Sequence, residues 1–119
     1  MTAAAPERLW EPSAELVERA RMTEYMRWLS AERGLEFDGY DDLWRWSVDD
    51  LEGFWSSIWD FFAVQSDGGY DRALGRRAMP GAEWFDGARL NYAEHVFAGK
   101  DDAEPAILHA SELRELGKL

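Results

Sequence analysis

The chain has 119 residues, enough for one small domain with a modest core, and carries 24 acidic against 13 basic residues for a formal charge of −11. That charge repels phosphate backbones and anionic membranes, so neither a nucleic acid nor a membrane is expected as a partner. The chain has no cysteine, which removes disulfides, a thiolate nucleophile and a zinc–thiolate site, while seven Trp, six Phe and four Tyr point to an aromatic core.

Residues 1–8 are small and polar and read as a flexible N-terminus. They lack the long apolar run of a signal peptide, no stretch reaches the ~20 apolar residues of a membrane span, and the absence of cysteine is compatible with the cytosol. Leu9 and Trp10, before Pro12, form an extended arm. Helix follows up to Gly34, with Ser13 as its cap and Glu15 in the first turn. Thr23 offers a second cap, which leaves open a short helix, a break and a second helix. Met22, Tyr25, Met26 and Leu29 fall at the i, i+3, i+4, i+7 spacing of one helical face, with Trp28 beside it. Gly34 suits the left-handed residue after a helix, with Leu35 folding back on Leu29. An Asp38-Gly39 turn then delivers a short helix, "YDDLWRW". Its Leu43 and Trp46 face inward, and Trp44 points elsewhere as a candidate interface residue.

The strongest helical pattern runs from Ser47 to Val64. Ser47 is its predicted cap, with Asp50 reaching back to it. Leu51, Phe54, Trp55, Ile58, Trp59 and Phe62 make its apolar stripe. The expected cover is Tyr25, Met26 and Leu29, Leu43 and Trp46, and Trp84 and Phe85. Phe61 lies just off the stripe and is predicted to face outward. Residues 65–87 read as a long connection with one helical turn near "YDRAL". A helix from about Asn91 to Ala98 follows, with Leu90, Ala93, Val96 and Phe97 inside. "AILHA" reads as a strand, and "SELRELGKL" as helix or the start of a hairpin. An isolated strand pair is marginal in water, so the chain reads as part of something longer. The fold class is mainly α: a small Trp-rich helical domain with long irregular connections and a short C-terminal extended segment.

Catalytic signatures are scarce. Gly99-Lys100 and Gly117-Lys118 lack the other parts of a phosphate loop, and there is no G-x-G-x-x-G or H-E-x-x-H pattern. His95 and His109 are the only histidines. Asp41-Asp42, Asp49-Asp50 and Asp101-Asp102 are neighbours whose side chains diverge, so they read as helix-start or solvated charges. The Arg76-Arg77 pair suits an anion, although an ion pair with nearby acids explains it more simply. No catalytic, cofactor-binding or metal residue is assigned.

Two separated motifs carry a resemblance. Ser47, Val48, Phe54 and Trp55, then Trp84, Phe85, Gly87, Leu90, Asn91, Tyr92, Ala93 and Glu94, resemble the N-terminal region of AMP-forming acyl-CoA synthetases of the acetyl-CoA synthetase group. "LWEP" (Leu9–Pro12) and "MRWL" (Met26–Leu29) fit the acetoacetate branch, the acetoacetyl-CoA synthetases (acetoacetate–CoA ligases). The resemblance implies a helical N-terminal domain over 9–99, a linker over 100–104 and the first strands of an absent AMP-binding domain over 105–119. It implies a parent enzyme that uses ATP, Mg and CoA to turn acetoacetate into acetoacetyl-CoA, AMP and diphosphate. The chain itself would then be a structural cap, catalytically inactive and without cofactor. Its partner would be the remainder of its own enzyme, with self-association through an exposed docking face as a second expectation. The alternatives are a stand-alone acidic interaction module and, on net charge only, a nucleic-acid mimic.

Overall fold

A computed structural model describes residues 9–101, 103–105 and 107–118; the N-terminal stretch expected to be flexible, 1–8, lies outside them. Helix dominates, in keeping with the expected class. In chain order the elements are α1 (Ala14–Glu18), α2 (Arg21–Arg33), α3 (Tyr40–Asp49), α4 (Leu51–Phe61), β1 (Arg72–Leu74), β2 (Trp84–Asp86), α5 (Tyr92–Phe97), β3 (Leu108–Ser111) and β4 (Arg114–Lys118). The chain divides into two compact units, Met1–Phe61 and Phe62–Leu119.

The first unit begins as the sequence predicts. Ser13 caps α1, accepting a hydrogen bond from the Leu16 N–H at 3.2 Å. The helix breaks at Arg19 and Ala20, so the two-helix alternative is the one realised. Thr23 is not the second cap: it lies inside α2 and its hydroxyl donates to the Val17 carbonyl at 2.5 Å, tying the two helices together. An Arg27–Glu18 ion pair links the same two elements. At the other end of α2, Gly34 takes φ 64°, and the Leu35 N–H returns to the Leu29 carbonyl at 3.2 Å. That closing bond across a left-handed glycine satisfies carbonyls that the helix end leaves free.

The corner between α3 and α4 differs from the expectation. Ser47 does not cap α4; it lies inside α3, its hydroxyl donating to the Trp44 carbonyl at 2.7 Å. Asp50 makes the corner instead. Its N–H ends α3 on the Trp46 carbonyl, and its carboxylate starts α4 by accepting from the Gly53 N–H at 3.0 Å. A mid-helix serine finds a carbonyl one turn back, whereas a carboxylate suits the free N–H groups of a first turn. Gly53 leaves room for that carboxylate, since a Cβ at this position would overlap Asp50 Oδ2.

Tyr25, Leu29 and Leu43 form the buried core of this unit, with Met26, Trp28, Leu35, Phe37, Trp46, Phe54, Ile58 and Phe61 packed on it. Leu29 is fully buried at 0% exposure, worth about 2–3 kcal/mol relative to a side chain left in water. The inward face of α4 is therefore Phe54, Ser57, Ile58 and Phe61. The predicted outward position of Phe61 is wrong: its ring lies 5.0 Å from Tyr25 and 5.5 Å from Trp28. Phe62, placed on the inner stripe by the sequence, is 56% exposed. The two readings differ by about 80° around the helix. Ser57 decides between them, because it occupies the centre of the true face at 1% exposure.

In the second unit the long connection holds no helical turn near Tyr70–Leu74. Residues Arg72–Leu74 form β1, paired antiparallel with β2 in the register Arg72↔Asp86 and Leu74↔Trp84. Ala73 and Leu74 are buried, and the Tyr70 and Phe85 rings meet edge to face at 5.1 Å. Gly87 turns the chain out of β2 at φ 83°, a conformation costly for any residue with a Cβ. Asn91 caps α5, accepting from the Glu94 N–H at 3.3 Å. The C-terminal segment takes the hairpin alternative, β3 against β4, with every residue of β3 exposed.

Candidate functional site

The residues that sequence reasoning considered for chemistry do not converge. His95 lies in α5 with a buried Nδ1 that has no hydrogen-bond partner, and His109 stands opposite Gly117 in the β3–β4 hairpin. Asp42 pairs with Arg45 one turn on at 2.9 Å, and Asp50 is consumed as a cap. Asp101 accepts from the Ala103 N–H at 2.9 Å, while Asp102 lies outside the described residues. Arg76 is spent inside its own loop, donating from Nε to the Gly81 carbonyl at 2.9 Å and lying 3.4 Å from Glu83. Among the described residues no three His, Cys, Asp or Glu side chains gather as a metal ligand set.

Burial raises the Tyr25 phenol above its ordinary value of 10.0, against smaller opposing effects of the Ser57 hydrogen bond and the Arg33 charge. The Tyr25 and Ser57 hydroxyls lie 2.5 Å apart, and Ser57 Oγ donates to the Phe54 carbonyl at 2.7 Å. Ser57 has one proton to give, so Tyr25 is the donor to Ser57. The relay ends on a helix carbonyl with no base beside it. It holds α2 to α4, and it cannot activate a nucleophile. Sequence reasoning missed this pair because serine carries no hydrophobic signal.

Two concave surfaces are lined mainly by polar and charged residues. One of about 420 Å³ is lined by Gln65, Ser66, Asp67, Arg89, Leu90, Asn91 and Glu94; another of about 410 Å³ is lined by Asp38–Asp42 and Arg45. Neither gathers glycine-rich backbone N–H groups with a lysine, as a phosphate cradle requires. Gly117 stands in strand β4 and Gly99 at φ 67° after the six-residue α5, so neither glycine–lysine pair opens a phosphate-binding helix.

What the chain does present is apolar surface on helices. Tyr40, Trp44 and Val48, at i, i+4 and i+8 of α3, are 60%, 53% and 44% exposed. They lie opposite Leu43 and Trp46, so α3 is apolar on both sides. Trp44 and Trp46 thus point to different faces, as the sequence predicts. In α5 and just before it, Leu90, Ala93, Val96 and Phe97, the residues expected to face inward, are exposed.

Comparison with known proteins ties these faces to a family. A family model of the acetyl-coenzyme A synthetase N-terminus matches residues 40–96. An acetoacetyl-CoA synthetase of Danio rerio is 36% identical over 110 residues, 90% of this chain and 16% of that protein. The acetoacetyl-coenzyme A synthetase of Rhizobium meliloti is 35% identical over 97 residues, 80% of this chain and 15% of that protein. The solved acetoacetyl-CoA synthetase from Streptomyces lividans superposes with a TM-score of 0.84 at 43% identity, covering 95% of this chain and 18% of that one. The chain is an N-terminal region of the acetoacetyl-CoA synthetase family. It spans about one-sixth of the length of the relatives it matches. A more distant relative, the malonamoyl-CoA synthetase of Penicillium aethiopicum, is 31% identical over 94 residues, 77% of this chain and 13% of that protein.

Within this family region, the shared motif residues have structural explanations. Phe54 packs on the core, Gly87 supplies the positive φ, and Asn91 caps α5. No described residue is assigned a contact to nucleotide, metal or CoA.

Proposed function

We propose that the chain is the N-terminal accessory region of an acetoacetate–CoA ligase and takes no part in the chemical steps. One observation carries this reading: the chain matches its relatives over 90% of its own length but only 16% of theirs. The whole enzyme would use ATP, Mg and CoA to convert acetoacetate to acetoacetyl-CoA, AMP and diphosphate. Acetoacetate and malonamate are both short acids with a carbonyl at the third carbon, and that is the substrate class we assign to the parent. Nucleotide, metal and CoA are assigned to the remaining five-sixths, since no phosphate loop or ligand set is found among the residues described here.

In this reading residues 9–99 are the accessory domain, 100–104 the linker, and 105–119 the opening strands of the AMP-binding domain. The hairpin β3–β4 supports the last assignment, because two exposed strands gain stability by joining a larger sheet. The outer face of α3, with Tyr40, Trp44 and Val48, is the contact to the remainder of the enzyme. The compartment is the cytoplasm, in keeping with a cysteine-free chain. No helix of the described residues is long and apolar enough to cross a membrane.

The test is direct. The purified chain, supplied with acetoacetate, ATP, Mg and CoA, is expected to release no AMP or diphosphate above a blank. Turnover that follows the chain through successive purification steps would overturn the reading.

A further inference from the structure

Helix α5 has six residues and a single side-chain cap, Asn91. Isolated helices shorter than ~12–15 residues are marginal in water, so α5 depends on packing of its apolar face. That face is Leu90, Ala93, Val96 and Phe97, spaced i, i+3, i+6 and i+7. It is open: Leu90 is 58%, Val96 40% and Phe97 49% exposed, and Ala93 is exposed as well.

We infer that this face is a second docking surface, separate from the outer face of α3, and that its occupant is the remainder of an acyl-CoA synthetase polypeptide continuous with this chain. The inference rests on the reading of the chain as part of such an enzyme. Two arguments choose the occupant. The matched relatives are about six times longer than the stretch they share with this chain, 16% in the fish protein, so in them a large body of protein accompanies this region. The face is also too small for an independent partner. Three large apolar side chains and an alanine fall well short of the ~800 Å² per side that a stable dimer needs. Within one polypeptide the tether replaces most of that area, because a short linker supplies an effective concentration in the millimolar range. Docking then covers this open face, and the helix opens less often once it is seated.

The test compares amide hydrogen exchange of residues 90–98 in the 119-residue chain and in the longer polypeptide that contains it. In the chain, α5 amides are expected to exchange within about tenfold of unstructured rates. In the longer polypeptide they are expected to slow by at least about 100-fold. Val96→Asp in the longer polypeptide returns them to fast exchange and lowers its melting temperature, while the same substitution leaves the melting of the 119-residue chain unchanged. Three results would overturn the inference: α5 as protected in the chain as α2 is, α5 still fast in the longer polypeptide, or a concentration-dependent dimer of the chain that Val96→Asp separates. If the longer polypeptide forms acetoacetyl-CoA while α5 stays fast, this inference falls and the functional reading stands. If the gene runs on into no synthetase, both fall.

Discussion

Residues 9–61 close over Tyr25, Leu29 and Leu43 with a shell of aromatic and aliphatic side chains drawn from α2, α3, α4 and the α2–α3 connection. Among the described residues after Phe61 there are two short hairpins and a six-residue helix, and Ala73 and Leu74 are the ones buried. The first unit has a core and an extra apolar face on α3. The second has apolar faces and little core. The difference is one of core: the first unit buries a cluster of its own, and the second leaves most of its large apolar side chains exposed. A unit with its own core is expected to resist local opening, and one with few buried apolar contacts to open more readily.

The sharpest way to break the comparison is to hollow the first unit. Leu29→Ala removes a fully buried side chain and should cost about 3–4 kcal/mol of the unfolding free energy measured in urea. An effect below about 1 kcal/mol would mean that the helical core does not carry the stability of the chain. The phase of α4 gives the next largest contrast. Phe61→Ser should cost about 2–3 kcal/mol by thermal or urea unfolding, because Phe61 packs on Tyr25 and Trp28. Phe62→Ser, one residue on, should cost under about 0.5 kcal/mol. Equal losses would refute the assigned face.

The Tyr25–Ser57 relay comes third. Ser57→Ala strands the Tyr25 hydroxyl in a buried position and should cost about 1–2 kcal/mol, with Tyr25→Phe in the same background recovering part of the loss. Because burial raises the Tyr25 pKa in the folded state, its stabilising contribution is full below pH ~10 and is lost as pH rises from there through the folded pKa. Tyr25→Phe should flatten that alkaline decline in a pH series of melts. The smallest effect belongs to the corner: Asp50→Ala should cost about 1 kcal/mol by loss of the α4 cap, and Ser47→Ala much less.

Much of this was legible in the sequence where a local rule decides the outcome. Ser13, Gly34 and Asn91 each announce a helix end through a side chain or a backbone preference that needs no distant partner. Legibility failed where the partner is remote. Ser57 is buried because a tyrosine hydroxyl 32 residues away meets it, and no hydrophobic count along α4 reveals that. Without Ser57 in the stripe, Leu51, Phe54, Trp55, Ile58, Trp59 and Phe62 define a face turned toward Trp55 and Phe62. The ribbon β1–β2 was hidden for a similar reason. Three-residue strands among glycines and charges carry no alternation to read, and their pairing depends on a partner ten or more residues along the chain. For the site the sequence yields an expectation only, since a missing motif is a local observation that no contact in the fold tests. The exposed face of α5 was not, because the same 3–4 spacing marks a helix face whether it is covered or open.

Limited trypsin digestion of the 119-residue chain tests the contrast between the units most directly. Cleavage after Arg27, Arg33 and Arg45 requires opening of the α2–α3–α4 core, whereas Arg77 and Arg89 lie on exposed connections. Rapid cuts after Arg77 and Arg89, leaving a resistant N-terminal product that retains α2, α3 and α4, are the predicted result. Cleavage after Arg27, Arg33 and Arg45 at the same rate as after Arg77 and Arg89 would contradict it, because the first unit would then have no core that outlasts the second.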